Sequence, residues 1–266
     1  MKHTTKMRSY NYPSSGICIY CLKEFSPEEL TKEHIIPSAL NGTLILLKAA
    51  CDPCRDHTNK GFENAALQAD FLVPRLLLEL KRNHKKVIKK LPLADAETFD
   101  GERLLQIQLE LSQYPPIVHF FVFPPPGILT KVERSGSLEA LQFSIVCFPN
   151  VAQYKYQNVE VRHKTDFTAF ALTLAKIGYC FAVAELGLSG FEGDGIRDLI
   201  NNKRSDTFNF VGGPLTKSRA PDNQLHVLLL QQRGDYCTVI IHLFASFTAQ
   251  TYEVVVGKGQ LKHNMK

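Results

Sequence analysis

Two Cys-x-x-Cys pairs near the start of the chain constrain the fold more than any other feature. Cys18 and Cys21 form the first pair, and Cys51 and Cys54 form the second, with residues 22–50 between them. Four thiolates in this spacing are typical of a closed tetrahedral zinc (Zn²⁺) site, which organises a loop-rich segment without taking part in chemistry. We therefore expect the segment between the pairs to be held rigidly.

Length and composition indicate a globular chain with room for two domains. The 266 residues are 44 % hydrophobic, which suffices for a substantial core. No apolar run approaches the roughly 18 residues of a membrane span, and residues 1–15 lack the apolar stretch of a secretory signal. We expect a cytoplasmic protein with no membrane partner, and the cysteine pattern does not indicate disulfides. The oligomeric state is left open.

The basic surplus is concentrated in the first third of the chain. The chain carries 31 Lys and Arg against 26 Asp and Glu, and residues 1–90 hold 15 of these basic and 9 of these acidic residues. Six cations stand within ten residues and could follow a phosphate backbone as a nucleic-acid-binding segment: Lys81, Arg82, Lys85, Lys86, Lys89 and Lys90. A solvated helix face is the alternative interpretation.

The sequence pattern divides the chain into an arm and two α+β domains. Residues 1–15 are polar and aperiodic, which predicts a flexible N-terminal arm. Residues 16–90 are predicted to form a β-hairpin, with Asn41-Gly42 as its turn dipeptide, followed by one or two helices. Residues 91–266 are predicted to form a larger α+β domain of unknown role. Its strands indicate a mainly antiparallel sheet, and Asp166 is expected to cap a core helix that ends near Gly187.

An acid stands beside a histidine between the cysteine pairs. Glu33 and His34 precede Ile35-Ile36-Pro37, and Thr58-Asn59-Lys60 follows the second pair. Together with the cysteines, these motifs resemble the HNH endonuclease family over roughly residues 15–70. The resemblance implies a zinc-stabilised ββα-metal domain that hydrolyses nucleic-acid phosphodiester bonds with a divalent ion, Mg²⁺ or Mn²⁺, and leaves a 5′-phosphate and a 3′-hydroxyl.

The two neighbouring residues suit this chemistry. A neutral imidazole can deprotonate water near neutral pH, so His34 is the expected general base. A carboxylate is a hard oxygen ligand for Mg²⁺ or Mn²⁺, so Glu33 is the expected ligand of the catalytic ion. Adjacent strand residues point to opposite faces, and both can therefore serve one site only at a strand end or twist.

The sequence departs from the family where supporting residues are expected. Arg55 follows the second cysteine pair directly, where the family often has His or Asn, and an arginine cannot ligate a cation. We expect His57 to complete the metal site, because imidazole binds the transition metals that such sites accept, with Asn59 as the alternative. If the helix has begun by then, the two cannot both point inward, whereas Asp56, Asn59 and Glu63 share a face.

Two functions are compatible with these features. The first is an HNH-type endonuclease whose partner is DNA, which most members of the family cut, although the sequence does not separate DNA from RNA. The second is a catalytically decayed zinc-ribbon adaptor that binds nucleic acid or protein, which the missing supporting residues favour. The larger domain is expected to direct the protein to its target, and deletion of residues 92–266 is expected to leave the zinc site formed.

Overall fold

The chain folds into an N-terminal ββα unit and a larger α+β region with antiparallel sheets. The structure, a computed structural model, describes residues 10–80, 91–138, 140–147, 155–162, 164–216, 223–247 and 249–261. The predicted arm is therefore described from residue 10 onward, and the basic segment 81–90 lies outside the described residues. The predicted α+β class is confirmed.

A small sheet carries the hairpin of the N-terminal unit. Strands β1 (Tyr10–Tyr12), β2 (Leu30–His34) and β3 (Leu44–Cys51) form a sheet in which β3 is central, parallel to β1 and antiparallel to β2. The connection between β2 and β3 folds tightly back at Gly42. A Cβ atom at that position would lie 1.9 Å from the carbonyl oxygen of Ile36, so the close approach requires glycine.

A helix with a π-helical turn follows β3 without a loop. Helix α1 (Asp52–Thr58) continues through the π-helical turn (Asn59–Glu63) into α2 (Asn64–Gln68), and α3 (Leu72–Leu77) follows. Pro53 lies in the first turn of α1, where its missing N–H costs no intrahelical hydrogen bond. The helix therefore begins at Asp52, well before Asn59. Pro74 lies in the first turn of α3, where its missing N–H likewise costs no intrahelical hydrogen bond.

The larger region consists of short strands around one long helix. Its elements in chain order are β4 (Ala94–Glu97), β5 (Arg103–Ile107), β6 (Ile117–Val122), α4 (Gly127–Thr130), β7 (Gln142–Cys147), β8 (Asn158–Val161), α5 (Phe167–Leu186), α6 (Asp194–Ile200), α7 (Thr207–Phe210), β9 (Val211–Gly212), β10 (His226–Arg233), β11 (Tyr236–Leu243) and β12 (Thr251–Lys258). The sheets have the strand orders β5-β4-β8, β6-β7 and β10-β11-β12-β9. Their pairings are antiparallel, as predicted.

Helix α5 forms the centre of the molecule. The predicted cap is present, since the Asp166 carboxylate accepts a hydrogen bond of 2.9 Å from the backbone N–H of Ala169. The chain leaves the helix at Gly187 with a φ of 72°, a conformation that favours glycine. Contrary to expectation, α5 is long and apolar enough to cross a membrane by length and composition, but 78 % of that stretch is buried inside the fold. Helix α5 is therefore a core helix.

The N-terminal unit packs directly against α5. The Tyr179 hydroxyl donates to the carbonyl oxygen of Ile19, and the Tyr20 hydroxyl lies 3.3 Å from the sulfur of Cys180. Buried apolar side chains from both parts of the chain belong to one hydrophobic cluster. The hairpin therefore buries its inner face against a helix that lies more than 100 residues later in the sequence.

We predict that a fragment comprising residues 1–91 does not fold, even with zinc, because its apolar face would lose the cover that α5 provides. This reverses the expectation that deletion of residues 92–266 leaves the zinc site formed. Circular dichroism and amide NMR spectra of the fragment, recorded beside the full chain, measure the effect. A cooperative thermal transition and dispersed amide resonances in the fragment would contradict it.

Candidate functional site

Four thiols meet where the first loop approaches the start of α1. The sulfur atoms of Cys18, Cys21, Cys51 and Cys54 all lie within 4.8 Å of one another. Cys51 ends β3, Cys54 lies in α1, and the other two belong to a tight turn in which the N–H of Leu22 donates to the carbonyl of Cys18 at 2.8 Å. The cluster is positioned to bind a metal ion, as the spacing predicts.

The electrostatics of this cluster favour a bound cation. Burial raises the pKa of the Cys54 thiol, and its cysteine neighbours act in the same direction. Burial also acts to raise the pKa of Cys18, but backbone hydrogen bonds, including one of 3.4 Å from the N–H of Cys51, outweigh it and lower that pKa. Several thiolates at this separation repel one another, and a divalent ion removes the repulsion by binding them together.

The structure brings Glu33 and His34 to one cavity. His34 is the last residue of β2, and the register of β2 against β3 shifts between Thr31 and Glu33. Such an irregularity changes the direction in which strand side chains point. Both side chains line a cavity of about 650 Å³ beside α1. The strand end and the register shift together provide the geometry that two adjacent residues need.

The helix contributes the opposite wall of this cavity. Asp56, Asn59 and Glu63 all line it, as expected for a helix that begins before Asn59. His57 is exposed on another side of α1, and its Nε2 atom lies 3.1 Å from the carbonyl oxygen of Ile200 in α6. His57 is not among the cavity-lining residues. This placement goes against the expected role of His57 as a ligand and favours Asn59, the alternative.

Arg55 lines the cavity but is held by acids of its own helix. Its guanidinium lies 2.6 Å from the Asp52 carboxylate and 2.9 Å from that of Asp56, which also accepts 2.7 Å from Lys60. Hydrogen bonds from Lys60 and Arg55 hold the pKa of Asp56 below its usual value. With the exposed Lys32, these cations surround the cavity mouth, where an anionic polymer would approach.

Lys176 of α5 reaches the Glu33 end of the cavity. Its Nζ atom lies 2.5 Å from Oε1 of Glu33 and 3.1 Å from Oε1 of Glu63, and it donates to the carbonyl oxygen of His34 at 2.5 Å. Side-chain exposure is 1 % for Lys176 and 6 % for each glutamate. Burial acts to lower the pKa of Lys176, but the charges of Glu33 and Glu63 outweigh it and raise that pKa. The two neighbouring carboxylates therefore favour the charged ammonium form of this side chain.

Glu63 is the less completely satisfied of the two buried acids. Its Oε1 atom lies 3.1 Å from Nζ of Lys176, which is ion-pair distance, and it has no hydrogen bond of regular geometry among the described residues. Burial raises the pKa of Glu63, whereas the charges of Lys176 and His34 act to lower it. Two buried carboxylates, one of them incompletely satisfied, form an oxygen donor set that fits a cation.

The sequence offered Glu63 only as one possible substitute for the missing metal ligand, and it gave Lys176 no role in the site. An acid commonly flanks a helix start, and this explanation of Glu63 gave no reason to expect that its side chain is buried. Lys176 had a clearer signal, because it is the one lysine or arginine between Phe167 and Leu186. A charged residue in the middle of an apolar core helix needs a buried partner. The identity of that partner depends on the tertiary fold.

The hairpin, the adjoining helix and the thiol cluster define a domain of the ββα-metal class. Residues 18–71 match the model of the HNH endonuclease family, and the N-terminal part of the chain is an HNH domain. The match covers about a fifth of the chain. No curated protein and no solved structure matches the chain. The predicted resemblance is confirmed for these residues, and an HNH domain implies a nucleic-acid substrate.

We predict that the purified protein holds one tightly bound metal ion per chain in the thiol cluster and that Cys54→Ala removes it, because three thiolates do not complete a tetrahedral shell. Cys147→Ser is the matched control, since Cys147 is an exposed thiol outside the cluster. Elemental analysis by mass spectrometry measures the ion content. Equal metal content in Cys54→Ala and the control would contradict the assignment.

Proposed function

We propose that the chain is a metal-dependent endonuclease that hydrolyses nucleic-acid phosphodiester bonds. One observation carries this proposal: Glu33, His34, Asn59 and Glu63 converge on a single cavity within an HNH domain. The set contains an imidazole that can accept a proton and hard oxygen ligands for a divalent ion, which are the two requirements of phosphodiester hydrolysis by this route.

Two different ions are proposed for the two donor sets. The four thiolates suit zinc in a closed structural site, since protein sulfur atoms complete the coordination shell. Glu33 and Glu63 suit Mg²⁺ or Mn²⁺, with the side-chain oxygen of Asn59 in the role first expected of His57. Such an ion, when bound, would stabilise the negative charge that gathers on the phosphate and the leaving oxygen.

His34 is proposed as the general base. Its side chain is half-buried in the cavity wall, and its backbone carbonyl is fixed by the ammonium group of Lys176. A neutral imidazole in this position can accept a proton from a water molecule that attacks the phosphate. The neighbouring charge of Glu63 stabilises the imidazolium that results, because the two groups interact electrostatically.

The proposed substrate is DNA, which approaches the cavity from its cationic mouth. Lys32, Arg55 and Lys60 lie there, and Lys60 keeps 75 % of its side chain exposed. These cations can attract phosphates without reading sequence. The choice of DNA over RNA rests on the resemblance to the HNH family, most members of which cut DNA. The binding role of residues 81–90 and the cytoplasmic location stay predictions.

A second candidate function has its own support. The ammonium group of Lys176 already occupies a cation position between the two carboxylates. A nucleic-acid or protein binding adaptor with a decayed active site would retain the thiol cluster and could use Lys176 in place of a divalent ion. This candidate predicts nucleic-acid or protein binding without cleavage.

Cleavage of supercoiled plasmid with Mg²⁺ or Mn²⁺ tests the proposed nuclease. We expect His34→Ala to lower the nicking rate by roughly 10² to 10⁴-fold, because the general base is lost. Glu63→Gln is expected to lower it strongly, because the variant loses a charged ligand. His57→Ala is the matched histidine control and is expected to stay within about tenfold of the wild-type rate, since its ring lies outside the cavity.

The same assay separates the two candidate functions. Equal nicking by the wild type and His34→Ala indicates a contaminating nuclease and rejects the assignment of His34. Absence of nicking by both, combined with retained plasmid binding in a gel-shift assay, supports the adaptor. A large loss of nicking activity in His57→Ala would indicate that His57 takes part in the site after all.

A further inference from the structure

We infer that Lys176 is the resident cation of the Glu33–Glu63 pair and that a divalent ion binds these carboxylates in competition with its ammonium group. The inference deepens the proposed function, on which it rests for the choice of ion. It concerns ion binding, which can be measured without cleavage. Lys176 is thus a positioning residue that acts through two proposed ligands.

The competition follows from the atoms involved. Oε1 of Glu33 and Oε1 of Glu63 are the oxygens nearest to Nζ of Lys176, at 2.5 and 3.1 Å. Mg²⁺, Mn²⁺ and Ca²⁺ take carboxylate oxygens at about 2.0 to 2.6 Å. An ammonium nitrogen and a divalent ion cannot both occupy that contact with the same oxygens. An ion that takes them must displace the ammonium group or bind beside its charge.

The charge balance also favours competition. Two carboxylates and one ammonium group carry a net charge of −1, which becomes +1 when a divalent ion joins them. Without the ammonium group the same site with its ion is neutral. Because all three side chains are almost completely buried, water screens these charges poorly, and the excess positive charge weakens ion binding.

Lys176 cannot move far from this position. It lies in the middle of α5, its side chain is 1 % exposed, and a third contact joins it to the carbonyl oxygen of His34. Because the backbone of Lys176 is fixed in a buried helix, its ammonium group can shift only a short way, within the cavity that Lys176 itself lines. The ammonium group therefore remains next to the site, where it keeps the two acids paired in the ion-free protein and sets the ion concentration needed for loading.

Lys176→Met tests the inference, because methionine has a similar length and no charge. We expect the variant to bind Mn²⁺ at the carboxylates roughly tenfold or more tighter than the wild type, because the competing charge is gone. Isothermal titration calorimetry and Mn²⁺ electron paramagnetic resonance on the zinc-loaded full chain, without nucleic acid, measure the affinity. The Tm of the variant is also expected to rise more with Mn²⁺ than that of the wild type.

Three further variants locate the effect. Lys60→Met removes the same charge from the exposed edge of the cavity, where water screens it, and is expected to change Mn²⁺ affinity less than about threefold. Lys176→Arg keeps a cation and is expected to stay near the wild-type affinity. Adding Glu63→Gln to Lys176→Met is expected to remove the gain in Mn²⁺ affinity, because a neutral amide then replaces one of the two carboxylates that bind the ion.

Each outcome decides the inference. Equal or weaker Mn²⁺ binding by Lys176→Met overturns it, as does an equal gain in Lys60→Met. If Lys176→Met folds only with Mn²⁺, the ion replaces the ammonium group as inferred, whereas failure to fold at saturating Mn²⁺ contradicts that replacement. Tighter Mn²⁺ binding without any plasmid nicking leaves the inference standing and removes the nuclease. Plasmid nicking by the wild type, combined with equal Mn²⁺ affinity in the wild type and Lys176→Met, overturns the inference and leaves the proposed nuclease standing.

Discussion

The contact of one buried ammonium group with two buried carboxylates is the interaction on which the functional site depends. Lys176 joins the end of β2, through Glu33 and the His34 carbonyl, to the π-helical turn, through Glu63. Each of these charges is costly in the core without the others. The trio therefore ties the hairpin to the helix where both line the cavity, and α5 supplies the cation of this contact.

The thiol cluster lies at the other side of the unit, where β3 of the hairpin passes into α1. Cys51 closes β3 and Cys54 lies in α1, so a metal ion there sets the angle at which the helix leaves the sheet. Leu30, at the start of β2, pairs with Cys51 at this junction, whereas Glu33 pairs with Leu46 further along β3. The proposed chemistry thus stands between two cation-binding positions, one made of soft sulfur donors and one of hard oxygen donors. Such a difference in donor type would let each position select its own ion.

Features that depend on residues close together in the chain could be predicted from the sequence. The cysteine spacing, the Asp166 cap and the turn near Gly42 are local signals, and the structure agrees with each of them. The choice between His57 and Asn59 depended on where the helix begins, and Pro53, in the first turn of α1, places that start before both residues. Lys176 and His34 are 142 residues apart, and no pattern of spacing predicts such a contact. Only the packing of α5 against the hairpin reveals it.

The central claim is that Glu33 and Glu63, next to His34, form a divalent-ion site inside an HNH domain. Anomalous X-ray diffraction from crystals soaked in a high concentration of Mn²⁺ tests it most directly, because the signal locates the ion without reference to activity. We predict an anomalous peak in contact with carboxylate oxygens of both glutamates and a displaced Lys176 ammonium group. A structure in which Lys176 still bridges the two carboxylates, with Mn²⁺ absent from the cavity or bound elsewhere, would contradict the account.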